Sequence, residues 1–434
     1  IKKINLHGEI FKIGNYAMGG NDLGDVIDLS VSPKIETIGT YAFQGTDSLG
    51  SSISIYTPIT STTSNNMTYY NYSTDFSNGI SSTSGSEGKQ LILTGLNKLE
   101  SIGERAFYLK GISTITGWED LTALETIGQY AFASNYITTI DFSTLKKLTS
   151  IEERAFYSNS KLASVNFNGA TALTSIGPSA FRECTSLTTV DFKNLPSLTT
   201  IDDYAFRNAP ITSDIDFSNS NNLTKIGTYA FGGNMCAGTI NLENTSLTSI
   251  SQYSFDAGTT SKSTISVVKL PGTLKYISSR AFYGMKIQDI VWPNSLTQID
   301  SYAFSYNSFT NLTLPASVTY IGGSAFSNNN IENLGLTNIN TSYGTEVFAS
   351  NNFTTLDLET LQLRKVASGM FKNNKITDLN IGTKITEIGS DAFYGNRLKE
   401  IVIPVNVISL DNNAFKQLAS YPWENVVLAY NDTV

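Results

Sequence analysis

The sequence predicts a solenoid of stacked coils that is mostly β, with short parallel strands joined by turns and short 3₁₀ segments. Two observations predict it. One string, an aliphatic residue followed five residues later by an aromatic one that Ala usually precedes, as in Ile127 to Phe132, recurs throughout the 434-residue chain. An alternating segment follows the string, and its alternate residues share one face of a strand. A single repeat cannot bury that face, so neighbouring repeats must stack into a continuous core.

The last residue of the string, which is aromatic in every repeat except the first, where it is Met18, is the landmark of each repeat. An aliphatic residue stands five positions before it, except at Tyr343, and Ala stands directly before it, except at Ser254, Val347 and Met370. So small a residue beside the ring indicates a tight turn or a short 3₁₀ segment. The sixteen landmarks are Met18, Phe43, Phe107, Phe132, Phe156, Phe181, Phe206, Phe231, Phe255, Phe282, Phe304, Phe326, Phe348, Phe371, Phe393 and Phe415.

The alternating segment is the predicted strand of each coil. In the stretch from Ile137 to Phe142, the side chains of Ile140 and Phe142 lie on one face. We expect one such strand per coil, paired in parallel with its neighbours, and we interpret the apolar ladder as structural.

Landmark spacing divides the chain into two classes of repeat within a single predicted solenoid, residues 1–434. Repeats of 24 or 25 residues cover about 7–256, and repeats of 22 or 23 residues cover about 265–425. In the shorter class Pro ends the strand, as at Pro315, because it fixes φ and donates no hydrogen bond. We expect the curvature to change where the classes meet.

A long gap between Phe43 and Phe107 places an insertion at about residues 50–90. Its central part, within 57–88, is rich in Tyr, Ser and Asn and includes Tyr69, Tyr70 and Tyr72. Recognition loops share this composition, because Tyr supplies a large contact area at low entropic cost. A low-complexity bulge explains the composition equally well, and a degenerate coil is a further alternative.

The outward positions of the predicted strands form a second candidate surface. Five successive strands place a polar residue at the equivalent position, with about 4.8 Å between rungs. These residues, the stripe, are Asp141, Asn166, Asp191, Asp216 and Asn241. Neighbouring carboxylates repel each other, so the stripe either stays hydrated, which we favour, or recruits a hard cation such as Ca²⁺. Such a face suits a basic or hydroxyl-rich partner.

Two further rows are interpreted as structural. Asn recurs three residues after the landmark, where stacked amides can bond neighbouring backbone groups. Its members are Asn21, Asn135, Asn159, Asn234, Asn307, Asn329, Asn351, Asn374 and Asn396. Tyr recurs two residues before the landmark, where rings packed along neighbouring coils need no ligand. Its members are Tyr16, Tyr41, Tyr130, Tyr204, Tyr229, Tyr253 and Tyr302.

Composition argues against several classes of function. The net charge is −8 and no basic block occurs, so the electrostatic footprint of a nucleic-acid-binding protein is missing. No apolar run reaches the roughly 18 residues of a membrane span. The first residues predict a strand rather than a signal peptide, so we expect the chain to begin inside a longer precursor.

The chain also lacks the residues of common catalytic and metal sites. His7 is the single histidine, which removes Ser-His-Asp and Cys-His arrangements, and no nucleotide-binding or metalloprotease motif is visible. Cys184 and Cys236 lie two repeats apart, about 10 Å by strand spacing and too far for a disulfide, so each is predicted to be a buried free thiol. We therefore predict no enzyme, no cofactor and no metal site.

The repeat resembles the BspA-like class of leucine-rich repeats. The stretch from Leu312 to Phe326, with its Pro315 turn and its Ile321-Gly322 pair, matches the consensus nearly position by position. The usual Cys three residues after Phe occurs only at Cys184, and Asn commonly takes its place. The resemblance implies a right-handed α/β leucine-rich-repeat solenoid in secreted or surface-anchored, largely bacterial proteins that are often associated with adhesion. It supplies no catalytic residue.

These observations predict an extracellular or cell-surface binding module, a monomer that adheres to host proteins or other cells through the solenoid surface and the 57–88 insertion. The alternative is a carbohydrate-binding surface protein without catalytic activity, which exposed aromatic residues beside the stripe would favour. A carboxylate-based hydrolase is a third hypothesis, and it requires a deep pocket that a solenoid rarely forms.

Overall fold

Two rows of short parallel strands, with almost no helix, make up the part of the chain that the structure describes. The computed structural model describes residues 4–5, 10–20, 26–30, 34–44, 61–64, 67–70, 88–233, 237–259, 263–361, 363–418, 420 and 425–428. Within these residues the chain is a parallel β-solenoid, as the repeat predicts, because each coil leaves one apolar face that only the next coil can cover.

The long-strand row contains the alternating segments. Its strands are Ile4–Asn5, Val26–Asp28, Lys89–Ile92, Ile112–Thr116, Thr139–Asp141, Ser164–Asn166, Thr189–Asp191, Ile215–Asp216, Ala237–Asn241, Thr264–Lys269, Asp289–Val291, Asn311–Thr313, Asn333–Gly335, Thr355–Asp357, Asp378–Asn380, Glu400–Ile403 and Asn425–Leu428. Breaks divide this row into six sheets. Ile140 pairs in register with Val165 and both are buried, so the inward residues of successive coils stack.

The short-strand row was not predicted. Its strands are Lys12–Ile13, Thr37–Ile38, Ser101–Ile102, Thr126–Ile127, Ser150–Ile151, Ser175–Ile176, Thr200–Ile201, Lys225–Ile226, Ser249–Ile250, Tyr276–Ile277, Gln298–Ile299, Tyr320–Ile321, Ser342–Tyr343, Lys365–Val366, Glu387–Ile388 and Ser409–Leu410. The expectation of one strand per coil is therefore wrong, because a two-residue strand is too short to show alternation in the sequence. This row breaks after Lys225–Ile226 and after Ser342–Tyr343.

The Ala-Phe string is a tight turn that contains a left-handed residue, rather than a 3₁₀ segment. Tyr130, two residues before its landmark, has φ of 54°. The Ala131 N–H donates to the Gly128 carbonyl at 3.1 Å, and the Phe132 N–H donates to Ala155 of the next coil at 2.8 Å. Among the described residues, Trp118–Asp120 forms a 3₁₀ helix and no α-helix occurs.

The core is a continuous stack of the landmark rings. Phe132 and Phe156 are fully buried, with ring centroids 5.3 Å apart and planes 5° from parallel. Each stacked pair contributes roughly 0.5–1.5 kcal/mol beyond the burial of its area. The structural interpretation of the apolar ladder is confirmed.

Buried Asn side chains tie each coil to the next. Asn135, 1% exposed, donates from Nδ2 to the carbonyls of Phe107 and Phe132 at 2.8 and 2.9 Å. Its Oδ1 accepts the N–H groups of Lys110 and Ile112 at 3.1 and 3.0 Å. Equivalent bonds are made by Asn159, Asn307, Asn329, Asn351, Asn374 and Asn396. The structural interpretation is confirmed for these seven, whereas Asn21 and Asn234 lie outside the described residues.

Cys184 takes the Asn position in its coil and is a free, fully buried thiol. Its Sγ donates to the Phe156 carbonyl at 3.3 Å, which reproduces one bond of the Asn ladder. Burial raises the pKa of the Cys184 thiol to about 12. Cys236 and His7 lie outside the described residues.

The insertion contains an antiparallel hairpin in its described part. Ser61–Ser64 pairs with Met67–Tyr70, so that Thr62 lies opposite Tyr69 and Ser61 opposite Tyr70. Tyr72 lies outside the described residues, as do residues 50–60, 65–66 and 71–87 of the insertion.

Candidate binding surfaces

The structure places the stripe on the long-strand row, in two groups rather than one. Asp141, Asn166 and Asp191 are in register on one sheet. Asp216 and Asn241 are in register on the next. The row breaks between the two groups, where the Ser213 hydroxyl replaces a backbone acceptor and takes the Val190 N–H at 3.1 Å.

Each stripe residue ends its strand with a local hydrogen bond. Oδ1 of Asp141 accepts the Ser143 N–H at 2.9 Å, and Oδ1 of Asp216 accepts the Ser218 N–H at 3.0 Å. The same bond to the second residue onward is made by Asn166, Asp191 and Asn241. This Asx turn explains why only Asp and Asn occupy the five positions. The turn requires an acceptor and not a charge, so the three carboxylates are not needed for it.

Amide side chains separate the carboxylates within the first group. The Asn166 Nδ2 donates to Asp141 Oδ1 at 3.0 Å, and the Asn168 Nδ2 lies 3.4 Å from Asp191 Oδ2. In the described part of the chain, no three His, Cys, Asp or Glu side chains converge closely enough to hold a metal ion.

The Tyr row, which we interpreted as structural, also forms an extended aromatic surface among the described residues. Arg residues alternate with the predicted Tyr row along the turns; the Arg105 guanidinium lies 5.2 Å from the Tyr41 ring centroid and 4.7 Å from that of Tyr130. We call it the Tyr–Arg ridge, and it comprises Tyr16, Tyr41, Arg105, Tyr130, Arg154, Arg182, Tyr204, Arg207, Tyr229, Tyr253, Arg280, Tyr283, Tyr302 and Tyr306. The expected ring packing is confirmed at Tyr16–Tyr41, Tyr204–Tyr229 and Tyr229–Tyr253.

The alternation of Tyr and Arg is the signal that sequence reasoning missed. Arg105 and Arg154 occupy the position of Tyr two residues before the landmark. Cation–π contacts contribute roughly 0.5–1 kcal/mol each at exposed sites. Exposed Tyr and Arg are also the residues most enriched where proteins bind partners.

Burial and ion pairing hold the ridge in place near its C-terminal end. The Arg280 Nε lies 2.9 Å from Asp256 Oδ2, and the Gly258 N–H donates to Asp256 Oδ1 at 2.8 Å. Burial raises the pKa of the Asp256 carboxyl, and the two bonds oppose that shift. Burial likewise raises the pKa of the Tyr130 phenol.

With this geometry, the chain is a leucine-rich-repeat protein. The model of the BspA type leucine rich repeat region matches it in six copies, over residues 1–84, 89–209, 174–310, 240–352 and 297–421. The chain therefore belongs to the BspA-type leucine-rich repeat family. The family model describes a repeat region and indicates no enzymatic family.

Several solved bacterial structures are similar to this chain. A leucine-rich repeat protein of Bacteroides ovatus is 18% identical, with 65% of this chain and 85% of that one covered and a TM-score of 0.45. A leucine rich cell surface protein of Faecalibacterium prausnitzii is 18% identical, with 79% of each chain covered and a TM-score of 0.29. The pneumococcal vaccine antigen PcpA is 16% identical, with 79% of each chain covered and a TM-score of 0.34. No curated protein matches the sequence.

Among the described residues, no helix has the length and the hydropathy that crossing a bilayer requires.

Proposed function

We propose that the chain, as one solenoid over residues 1–434, is a monomeric extracellular or cell-surface binding module. It adheres to a protein of a host or of another cell, and it holds that partner against the stripe on the long-strand row. The 57–88 insertion, with Tyr69, Tyr70 and Tyr72, is its second contact. Membership of the BspA-type family supports the general class, and the geometry of the strands supports the choice of face.

The observation that carries the proposal is a series of small polar side chains on successive strands, several of which are held in fixed positions. From Thr139–Asp141 to Ala237–Asn241, the outward strand residues are Thr139, Asp141, Ser164, Asn166, Thr189, Asp191, Asp216, Thr239 and Asn241. The Asx turns fix the carboxylates of the stripe before any partner arrives, so little side-chain entropy is lost on binding.

The fixed carboxylates can accept further hydrogen bonds. Within the described residues, no hydrogen bond reaches Oδ2 of Asp141 or Asp216. Lys and Arg side chains of a partner would meet these oxygens as charge-assisted donors, which are about twice as strong as neutral ones. The stripe therefore favours a partner with a basic surface.

The test removes charge from the stripe and keeps its hydrogen bonds. A triple variant, Asp141→Asn, Asp191→Asn and Asp216→Asn, retains an Oδ1 acceptor for each Asx turn, as Asn166 and Asn241 already provide. The matched control is Glu36→Gln, Glu100→Gln and Glu125→Gln, which removes three charges from exposed side chains beside the short-strand row. Both variants are measured by surface plasmon resonance against a panel of extracellular-matrix proteins and by adhesion to intact cells.

The expected result is a loss of affinity of roughly tenfold for the stripe variant at low salt, mostly through a slower association rate, with the control unchanged. Equal effects of the two variants would mean that net charge and not the stripe directs binding. Unchanged binding by the stripe variant would refute the stripe. Deletion of residues 57–88 tests the insertion separately, and wild-type affinity in that variant would remove it from the proposal.

A further inference from the structure

Three of the four departures from the repeat lie in adjacent coils, and the fourth is Ser254. Tyr343 replaces the aliphatic residue of its string, and Val347 and Met370 replace Ala in two successive turns. The short-strand row breaks directly after Ser342–Tyr343. The Tyr343 side chain is partly buried and packs against the core, and this burial raises the pKa of its phenol to about 12.

The stack of landmark rings opens at the same coils. Phe255 and Phe282 are 5.2 Å apart with planes 2° from parallel. Phe326 and Phe348 are 6.0 Å apart at 20°, and Phe348 and Phe371 are 5.8 Å apart at 20°. The coils therefore splay where the repeat is least regular.

A groove of about 300 Å³ lies on the turn surface over these coils, at the end of the Tyr–Arg ridge. Its lining residues are Tyr283, Tyr302, Ser305, Tyr306, Ser324, Ser327, Asn328, Glu346, Ala349, Ser350, Lys372 and Asn373. The groove forms because smaller side chains occupy the turn positions in this region than in the preceding coils. Ser324 stands where Tyr302 stands one coil earlier, two residues before the landmark, and both have left-handed backbones with φ of 56° and 60°.

One wall of the groove is aromatic. Tyr302 is 47% exposed, and the Tyr283 and Tyr306 rings are 5.3 Å apart and tilted by 59°. The Arg280 guanidinium lies 3.9 Å from the Tyr283 ring centroid and supports that wall from the ridge side. Tyr283 itself is buried, so the exposed Tyr302 ring supplies the apolar face and a hydroxyl that can hydrogen-bond.

The other wall and the floor are polar without a net charge. The Lys372 Nζ lies 3.3 Å from Glu346 Oε1, so the two charges of the far wall neutralise each other. Beneath the floor, the buried hydroxyls of Ser305 and Ser327 are 2.7 Å apart, and the partly exposed Asn328 places its Nδ2 3.3 Å from Ser327 Oγ. A lining without net charge offers no electrostatic steering to either an anion or a cation.

We infer that this groove binds a short neutral oligosaccharide. The C–H face of a pyranose ring stacks on the exposed Tyr302 ring, while its hydroxyls exchange hydrogen bonds with the partly exposed side chains of Asn328, Ser350 and Glu346. The volume lies at the lower end of small-molecule sites and suits about one or two sugar rings. A peptide is less suited, because peptide recognition relies on an open strand edge, an apolar groove or a charged cluster, and this lining offers none of them.

The exposed aromatic rings of the groove do not lie where we expected them in a glycan-binding protein. We expected them beside the stripe, whereas they lie on the turn surface. The groove is independent of the stripe, so each proposal can fail without the other.

The test fills the groove with a side chain that the solenoid accepts. Ser324→Tyr continues the Tyr row at a position whose backbone matches that of Tyr302 and places a ring in the groove. The matched control is Ser179→Tyr, at the same repeat position with φ of 55° but away from the groove. Tyr302→Ala removes the exposed ring. All are compared with the wild type on an array of neutral mammalian and bacterial oligosaccharides, and hits are titrated by calorimetry.

The wild type and Ser179→Tyr should bind the same short neutral glycans. Ser324→Tyr should weaken that binding by at least about tenfold and Tyr302→Ala by about three- to tenfold. Matching circular dichroism spectra and melting temperatures for the two Tyr variants establish that both are folded. The inference is overturned if the wild type binds no glycan on the array, if Ser324→Tyr binds as well as the wild type, or if the array selects charged glycans only.

Discussion

Replacing Asn135 tests whether the buried Asn ladder holds the coils together. The Asn135→Ala variant removes two donated bonds to the carbonyls of Phe107 and Phe132 and two accepted bonds from the N–H groups of Lys110 and Ile112. Water cannot replace the lost partners easily, because the side chain is 1% exposed. We therefore expect a large loss of stability from a single polar residue.

The expected loss of stability in Asn135→Ala follows from the number of backbone groups that lose their hydrogen-bond partner. A net contribution of about 1 kcal/mol per hydrogen bond gives a loss of about 4 kcal/mol for four bonds, before any cavity term. Asn135→Cys should cost less, because Cys184 shows that a thiol at this position still donates to the landmark carbonyl of the preceding coil. Asn222→Ala is the control: its Nδ2 donates to Pro196 O at 2.8 Å, but the bond is exposed and should be worth under about 1 kcal/mol.

Chemical denaturation followed by circular dichroism measures the loss of stability in each variant. Hydrogen exchange at the Lys110 and Ile112 amides measures it locally, which matters because stacked repeats can unfold in parts. The reasoning is refuted if Asn135→Ala costs no more than Asn222→Ala, or if the two amides keep their wild-type protection.

Three further predictions concern single residues. Burial keeps the Cys184 thiol protonated and out of reach of reagents. In a Cys236→Ser background, its reaction with a disulfide reagent at pH 8 should therefore be at least about a hundredfold slower in the folded protein than in denaturant. Comparable rates would contradict its burial. Hydrogen bonds from the Thr383 backbone N–H and hydroxyl lower the pKa of Glu359, so its ionised form stabilises the fold above the unfolded value of about 4.3. This stabilisation is lost as pH falls through the folded value, so the difference in melting temperature between wild type and Glu359→Gln should be present at pH 7 and should decrease as pH falls below about 4.3. Ser158 has a left-handed backbone with φ of 57°, so Ser158→Gly should increase the free energy of unfolding by up to about 1 kcal/mol. Ser164→Gly, within a strand, should decrease it by a similar amount. Chemical denaturation measures both, and the same sign for both variants would refute the role of the left-handed turn.

Residue patterns at a fixed period predict the fold, because each coil must repeat the contacts of the last. Phe132 and Ile140 could be placed in the core on spacing and hydropathy alone, and the structure buries both. Asn135 could be placed in a structural row for the same reason. The strand Thr126–Ile127 could not be predicted, because two residues carry no detectable alternation and pair only when the next coil is present.

The candidate surfaces were less predictable, because they depend on neighbours that are distant in sequence. Asp141 and Asp216 were expected on one even stripe, but the break at Ser213 separates their sheets. Arg105 and Arg154 differ in charge and hydropathy from the Tyr residues whose position they share, so a search for one residue type overlooks the ridge.

The groove shows the same limit. From the sequence alone, Tyr343 and Val347 look like isolated exceptions to the repeat, and Ser324 looks like an ordinary variation. Only the three-dimensional stack shows that these changes lie together and that the Phe326–Phe348 spacing widens beside them. A single substitution in a repeat carries little information until its neighbours in adjacent coils are known.

The most direct test of the proposed binding face is a hydrogen-exchange footprint of the chain bound to the matrix protein that the binding panel selects. The account predicts that backbone amides of the long-strand row from Thr139–Asp141 to Ala237–Asn241 become protected, while those of the short-strand row from Thr126–Ile127 to Lys225–Ile226 do not change. Protection confined to the short-strand row, or to the turns that carry the Tyr–Arg ridge, would contradict it.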